Sequence, residues 1–584
     1  MRRYRFMNAL FAGLILLLIW SVLVGQALYR LDFKEQISIF LLGADRISWY
    51  LSNPGVIASI LGDWLTQFYI KGWTGAILSI LLLAVTTAGL GRFFRMSAPG
   101  HPAVWVVLML PVLMEGYFIP FPNYPVSATV GLAISVWIAC ALAHLKDYRI
   151  SPWIYGLAVP VMYVIVGGHA ITMALLLGFL KRKDCTATVI CLIAGIIAMM
   201  VCGRLYNLTP LQTLIWPVYP RYIIPSTKLL IFQPVVVLLS MILSLLFYRI
   251  TTEKWKEVAI LLTSITSITV YGMIRDKELE NVVKIGTLAY RNDWKEVRRM
   301  AASDEPNMYR NFYWHLCNAR DVRLAEDLLK GRWGMSSNGL FLSTSKGDPY
   351  FSMMYFTDAL LEIGDVSQAT DCALLAQTVM PGHYSTRMLR RLAEISVVTG
   401  DYDVAAKYLN ILSRTRNHRA WAQNMMECIK ADSIPEQYMV WRSRTIPTDH
   451  FFAQGDIRSS LAIIASEAPY NRVAKDYLLC SYLLDKNVNS FIGLYEKFYL
   501  NSLDQVTTVP DVYQEALMVN VNSNESLGET IVKYNISDRV VSKFLNLMEA
   551  RASNPDNPNV ITEDAIGTYW HYIMAVSLIN VNQK

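Results

Sequence analysis

The 584-residue sequence predicts an all-α protein in two parts: a polytopic transmembrane helical domain over residues 1–274 and a soluble α-helical repeat domain over residues 275–584. Three observations predict it. Apolar runs of membrane length recur before residue 275 and then stop. Charged residues, only 17% of a chain that is 54% hydrophobic, gather in the second half. There, short apolar helical patterns alternate with a recurring turn. The net charge of +7 includes the Lys and Arg that flank apolar spans, so it does not indicate a nucleic-acid surface, and no nucleic-acid partner is expected.

The N-terminal stretch "MRRYRFMNALFAGLILLLIWSVLVGQALYR" offers Gly25 and Ala27 as a passable cleavage site. Its apolar run nevertheless exceeds the roughly 7–15 residues of a signal-peptide core, which favours an uncleaved first span. The lipid bilayer is the first partner this implies. Seven segments hold the about 20 apolar residues a crossing needs. They lie near residues 8–28, 73–94, 103–120, 125–144, 186–206, 229–248 and 256–274.

An eighth segment, Pro152–Leu180, contains "YVIVGGHAITMALLLGFLKRK" with Gly167, Gly168 and His169 in its middle. As one straight helix it would be about 43 Å long, too long for one upright span and too short for two. Charge arbitrates, because Lys and Arg beside span ends stay cytoplasmic. With Arg2, Arg3 and Arg5 inside, Arg92, Arg95, Lys146 and Arg149 fall inside as well. A single crossing at 152–180 would put Lys181, Arg182, Lys183, Arg249, Lys254 and Lys256 outside. A re-entrant hairpin or pair of short helices, broken at the two glycines with His169 at the tip, keeps all six inside. The expectation is therefore about seven spans plus a re-entrant hairpin in a bacterial inner membrane, with a cytoplasmic N-terminus and a periplasmic C-terminal domain. Irregular backbone at that depth needs protein or a wet cavity around it, so a cavity is expected too.

The first outside loop, 29–72, reads as two amphipathic helices lying in the interface. Phe33, Ile37, Phe40 and Leu41 form one face; Val56, Ile57, Ile60, Leu61, Trp64, Leu65 and Phe68 form the other, with Pro54 and Gly55 as the break. In the second half the turn recurs as "RNDW", "ARDV", "IGDV", "TGDY", "QGDI" and a weaker "DKNV". One residue stops a helix, and the Asp caps the next. The strings "GDYDVAAKYLNILSRT" and "APYNRVAKDYLLCSYLL" resemble tetratricopeptide-type (TPR-like) repeats, whose stacked helix pairs suit partner binding. An irregular helical domain is the plainer alternative. Eight cysteines occur singly, with neither a CxxC pair nor a His cluster, so no metal site is indicated.

Polar residues that this topology gathers on the outer side are the candidates for chemistry. Asp32 and Glu35 in "RLDFKEQ" follow the first span, Glu115 lies toward the outer end of the third, and His169 sits at the hairpin tip. Arg204, Arg221, Tyr222 and Lys228 flank "YNLTPLQTLIWPVYPRYIIPSTK". An ionisable group at membrane depth is a functional candidate because its charge is costly to bury. Each also has a plain structural reading. Asp32 serves as an N-cap with Glu35 three positions on, Glu115 pairs with Arg204 or sits at headgroup level, and His169 satisfies a helix end.

An acidic residue after the first span, interfacial helices in the first outside loop, broken short helices midway and a soluble outer domain together resemble the GT-C class of polyprenol-dependent glycosyltransferases. The likeness covers residues 1–274 as architecture. "KEQISIFLL" and "PGVIASILGDWLTQFYIKGWTGA" also resemble an uncharacterised family of membrane proteins with repeat-containing tails, known mainly from Bacteroides-like bacteria. The GT-C resemblance implies a polyprenyl-phosphate lipid, an outer carboxylate acting as base or binding a divalent metal, and cations at the departing phosphate. Asp32 or Glu35 would take the first role, and Arg221 with Lys228 or His169 the second. "RLDFKEQ" lacks the adjacent acidic pair of several such families. The competing reading is a non-catalytic scaffold whose repeats hold an envelope protein partner; a transporter ranks below both, since no duplicated span pattern is visible.

Overall fold

A computed structural model of the chain describes residues 2–97, 107–146, 148, 150–183, 185–218, 230–249, 265, 272, 276–302, 307–330, 336–342, 349–380, 383–446, 457–500, 509–521, 524–555 and 560–575. Its described elements are helices, with no strand among them. The chain divides into two compact units. The first comprises residues 1–284 with 380–387 and 412–420; the second comprises 285–379, 388–411 and 421–584.

The first unit begins with α1 (Arg2–Gln26), α2 (Leu28–Gln36), α3 (Ala44–Leu51), α4 (Val56–Thr66) and α5 (Gly72–Ser97). It continues through α6 (Leu110–Phe118), α7 (Val126–Ala143), α8 (Ser151–Val166), α9 (His169–Leu180), α10 (Cys185–Leu205), α11 (Pro210–Ile215) and α12 (Gln233–Arg249). Four described helices are long and apolar enough to cross a membrane: Ala9–Gln26, Gly72–Ser97, Val126–Ala143 and Thr188–Leu205. They coincide with four of the seven expected segments. Of the segment 103–120, the nine-residue α6 is described; 229–248 yields the 17-residue α12; nearly all of 256–274 lies outside the described residues.

Helix α7 is the core, with α4, α5 and α9 packed around it. Its sequence "VSATVGLAISVWIACALA" alternates small and apolar residues, so neighbours approach closely. Helix α10 is different: Ile193, Ile196, Ile197, Met200 and Leu205 are exposed. Large apolar side chains left outside while small ones pack inside suit a surface met by lipid rather than water.

The Pro152–Leu180 segment is two helices that fold back on each other. Gly167 stops α8 with φ +69°, a conformation open to glycine at little cost, and the Gly168 amide donates to the Trp216 carbonyl at 3.0 Å. Tyr155 near the start of α8 bonds the Leu142 carbonyl at 3.0 Å, and Lys181 after the end of α9 bonds the Lys146 carbonyl. Both limbs thus reach the C-terminal end of α7, while the tip lies beside Gly131 near its start. With 16 and 12 residues the limbs are about 24 and 18 Å long. Lys146 also bonds the Met96 carbonyl at 3.1 Å and Arg182 the Ser97 carbonyl at 3.3 Å. The cations Arg95, Lys146, Lys181 and Arg182 therefore collect at one end of the unit.

The first loop departs from expectation. It holds three helices rather than two, and the first stops at Gln36 instead of running on through Phe40. The Ser385 and Thr386 hydroxyls donate to the Gln36 and Glu35 carbonyls at 2.7 and 2.9 Å, satisfying the helix end in place of another turn. Asp32 and Glu35 are interior to α2, whose N-cap is Ala27, so the capping-box reading is wrong.

In the second unit, considered alone, the recurring turn shares one construction at "RNDW", "IGDV" and "DKNV". Positive φ at Asn292, Val322, Gly364, Gly400 and Lys486 ends a helix. Asp293, Asp365 and Asn487 then accept from the amides of Glu296, Gln368 and Ser490 at 3.3, 3.0 and 3.1 Å, capping the next. The helices Pro349–Ile363 and Val366–Val379, joined this way, pack on each other, as do Ile457–Glu467 and Arg472–Leu484. The "QGDI" turn lies outside the described residues.

Candidate functional site

Helix α2 carries Arg30, Asp32, Lys34, Glu35 and Gln36, all buried. Burying charge is costly unless it is paired, and the partners come from distant parts of the unit. Arg30 Nε meets Glu280 Oε2 at 3.2 Å, and Arg387 donates to Gln36 Oε1 at 3.1 Å. Glu35 Oε1 accepts from Asn417 Nδ2 at 3.0 Å and lies 3.2 Å from His418 Nε2. Lys34 Nζ donates to the Tyr124 carbonyl at 2.5 Å. Burial holds the Lys34 ammonium down to about 7, against the pull of Glu115.

Lys34 opens onto a cleft of ≈ 60 Å³, with walls from α2, α3, α4, the turn before α7 and Trp216–Pro217. Helix α4 supplies Ser59, Asp63 and Thr66, spaced to share one face. Its opposite face presents Ile57, Leu61 and Trp64, all exposed. The expected amphipathic pattern is present, with the large apolar residues outward. Gly62 lets α4 sit this close: a Cβ there would lie 2.4 Å from the Ser127 backbone.

Asp63 Oδ2 accepts from Arg46 Nη2 at 3.1 Å and from the Tyr50 hydroxyl at 2.7 Å. Arg46 also lies over the Trp49 ring, 4.0 Å from its centroid. Burial pushes the Asp63 carboxyl above the usual carboxylate range although Arg46 opposes it. Asn123 completes the wall, 4% exposed, and its Nδ2 has no hydrogen-bond partner. Tyr124 links the cleft to the unit's interior. Its hydroxyl donates to Glu115 Oε1 and Oε2 at 2.8 and 2.9 Å; Thr129 donates to the same carboxylate at 2.6 Å, and Gln233 completes the cage.

Of the eight residues singled out in the sequence, the five described ones, Asp32, Glu35, Glu115, His169 and Arg204, do not line this cleft. Glu115 lies directly behind its wall through Tyr124, and Asp32 and Glu35 are on the helix that supplies Lys34. Glu115 does not pair with Arg204, which is exposed on α10; its oxygens accept from Tyr124, Thr129 and Gln233 instead. His169 is buried at the start of α9 against Gly131. Arg221, Tyr222 and Lys228 lie outside the described residues. Sequence reasoning passed over Lys34, Arg46, Asp63 and Asn123. The one available signal was Asp63, an acid inside the apolar run "SILGDWLT" at i+4 from Ser59. Among the described residues no three His, Cys, Asp or Glu side chains gather as metal ligands. The one carboxylate among the described residues lining the cleft already holds Arg46 and Tyr50, a donor set that does not fit a divalent cation.

No curated protein and no solved structure matches the chain. A family does: the one described as "Family of unknown function (DUF6057)" matches residues 2–575, and the chain belongs to it.

Proposed function

We propose that the chain is an integral inner-membrane transferase of the GT-C kind, taking a polyprenyl-linked sugar in the cleft and passing it to an acceptor at the periplasmic face. The observation that supports this reading most is the division of α4: Ser59, Asp63 and Thr66 in the cleft, Ile57, Leu61 and Trp64 outward. A lipid-linked substrate needs a polar seat for its head within reach of an apolar surface for its chain.

Asp63 is the base in this reading, ahead of Asp32 and Glu35, because Glu35 is occupied by Asn417 and His418. Arg46 and Tyr50 hold one carboxylate oxygen, leaving the other for an acceptor hydroxyl. The cleft lies toward the start of α7, and the Lys146–Lys181–Arg182 group collects at its other end. Cations at span ends stay cytoplasmic, which puts the cleft outside, with the 275–584 domain in the periplasm. On this topology the α8–α9 hairpin is re-entrant, and seven spans accompany it.

The test is Asp63→Asn. It should lower transfer about 10²- to 10⁴-fold, read as loss of a cell-surface glycan at unchanged protein level. An unchanged glycan removes the reading. The scaffold alternative draws on the capped turns of the second unit, which support a TPR-like stack for an envelope protein partner. In that case cross-linking from the second unit recovers a partner equally well from wild type and Asp63→Asn.

A further inference from the structure

The cleft has more hydrogen-bond donors than its own acceptors use. Lys34 Nζ has three N–H bonds and spends one, on the Tyr124 carbonyl. Asn123 Nδ2 spends none. Ser59 and Ser127 bring hydroxyls to the same wall. Among the described residues that line it, Lys34 and Arg46 are the cations and Asp63 is the one carboxylate, already paired with Arg46. A buried donor without an acceptor costs about 1–3 kcal/mol, so the unpartnered Asn123 amide, beside a lysine with N–H bonds to spare, points to an acceptor that arrives with a ligand. The space, ≈ 60 Å³, is that of a few water-sized groups, the scale of one tetrahedral oxyanion.

We infer that the cleft is a phosphate-monoester site in which Lys34 Nζ and Asn123 Nδ2 donate to the phosphate oxygens. The inference rests on the reading of this cleft as the substrate seat and specifies what occupies its floor. Charge-assisted bonds from an ammonium to phosphate oxygen are the strong kind, and an amide donor beside it fixes orientation. Ile57, Leu61 and Trp64, exposed on the opposite face of α4, give the same helix an apolar surface for a chain esterified to that phosphate. No bond is made or broken in this step; it is binding alone.

The experiment uses the full chain in phosphatidylcholine nanodiscs, with farnesyl phosphate, farnesol and inorganic phosphate as probes in calorimetric titrations. Farnesyl phosphate should bind about tenfold or more tighter than farnesol. Asn123→Asp, the same shape carrying a negative charge, should abolish that preference, and Lys34→Arg should keep most of it. Inorganic phosphate that binds as tightly as farnesyl phosphate and is lost in Asn123→Asp identifies a free-phosphate source for the same site. Equal binding of farnesol and farnesyl phosphate overturns the inference, as does an Asn123→Asp protein that elutes as wild type and keeps the preference. Should Lys34→Arg fail to fold, Asn123→Asp and Asn123→Ala still decide, because Asn123 Nδ2 has no partner to lose. Failure of the transferase reading looks different: phosphate binding intact, and surface glycan unchanged in Asp63→Asn.

Discussion

Glu115 and Asp63 are both acids on largely apolar helices of the first unit, and they differ in how much of the carboxylate is already used. Glu115 is fully buried, with Tyr124, Thr129 and Gln233 donating to its two oxygens. Asp63 gives one oxygen to Arg46 and Tyr50 and lines an open cleft with the other. Burial by itself therefore marks neither as functional. A caged acid holds a fold together, and an acid with an open oxygen can accept a proton from something that enters.

The contrast breaks most visibly at Glu115. Removing it in Glu115→Ala strips an acceptor from three side chains and the counter-charge from buried Lys34. The expected loss is roughly 3–5 kcal/mol of stability, measured by thermal unfolding in detergent micelles. Glu115→Gln keeps one acceptor and should lose less. A melting temperature for the alanine protein within a few degrees of wild type would remove the distinction between the two acids.

Next in size is the packing that presents Asp63. Gly62→Leu puts side-chain atoms where the Ser127 backbone already lies, 2.4 Å from the ideal Cβ, and α4 must lift off α7. About 1–3 kcal/mol of destabilisation is expected. Ser59, Asp63 and Thr66 ride on the same helix, so ligand binding in the cleft should fall with it while the Glu115 cage persists. Gly195→Ala, whose Cβ meets its nearest neighbour at 3.7 Å, is the matched control.

Which of these features the sequence shows follows from the distance over which each is encoded. Apolar runs, the Gly167–Gly168 break and the Asp-capped turns are local, and each forms where its own residues point. The cleft is assembled from residues near 34, 46, 63, 123 and 216. No periodicity in one segment reports that Lys34 faces the carbonyl of Tyr124, or that Glu35 meets His418 across 383 positions. Asp63 was visible only as an interruption of an apolar face. Glu115 stood out because it is a charge in a span, and the three partners that make it structural come from α7, α12 and the turn between α6 and α7.

A smaller effect concerns Lys34, which sets the charge of the cleft. It faces Glu115 and Tyr124 on one side, and Arg46 and Asp63 line the other side of the cleft. With Lys34 held at about 7, its protonated fraction drops about tenfold between pH 6 and pH 8. Protonation is what an anion needs, so binding of farnesyl phosphate should weaken as pH rises across that window. The Lys34→Arg protein, charged throughout and exposed to the same ionisation of the ligand, should show a flatter profile. Parallel profiles would mean that Lys34 does not touch the anion.

The smallest effect tests the other face of α4. Leu61 is 39% exposed and is not among the apolar residues packed on the unit's core, so Leu61→Ser should change unfolding in detergent by no more than about 0.5 kcal/mol. The informative readout is instead what the residue touches. A photoactivatable phenylalanine at position 61 in nanodiscs should cross-link to acyl chains, and one at Val440, an equally exposed apolar position of the second unit, should not. Labelling at both would mean that exposure of apolar side chains does not separate the lipid-facing surface from the aqueous one. Labelling at neither would take α4 out of the bilayer, and with it the reason that Asp63 and a lipid chain would share one helix.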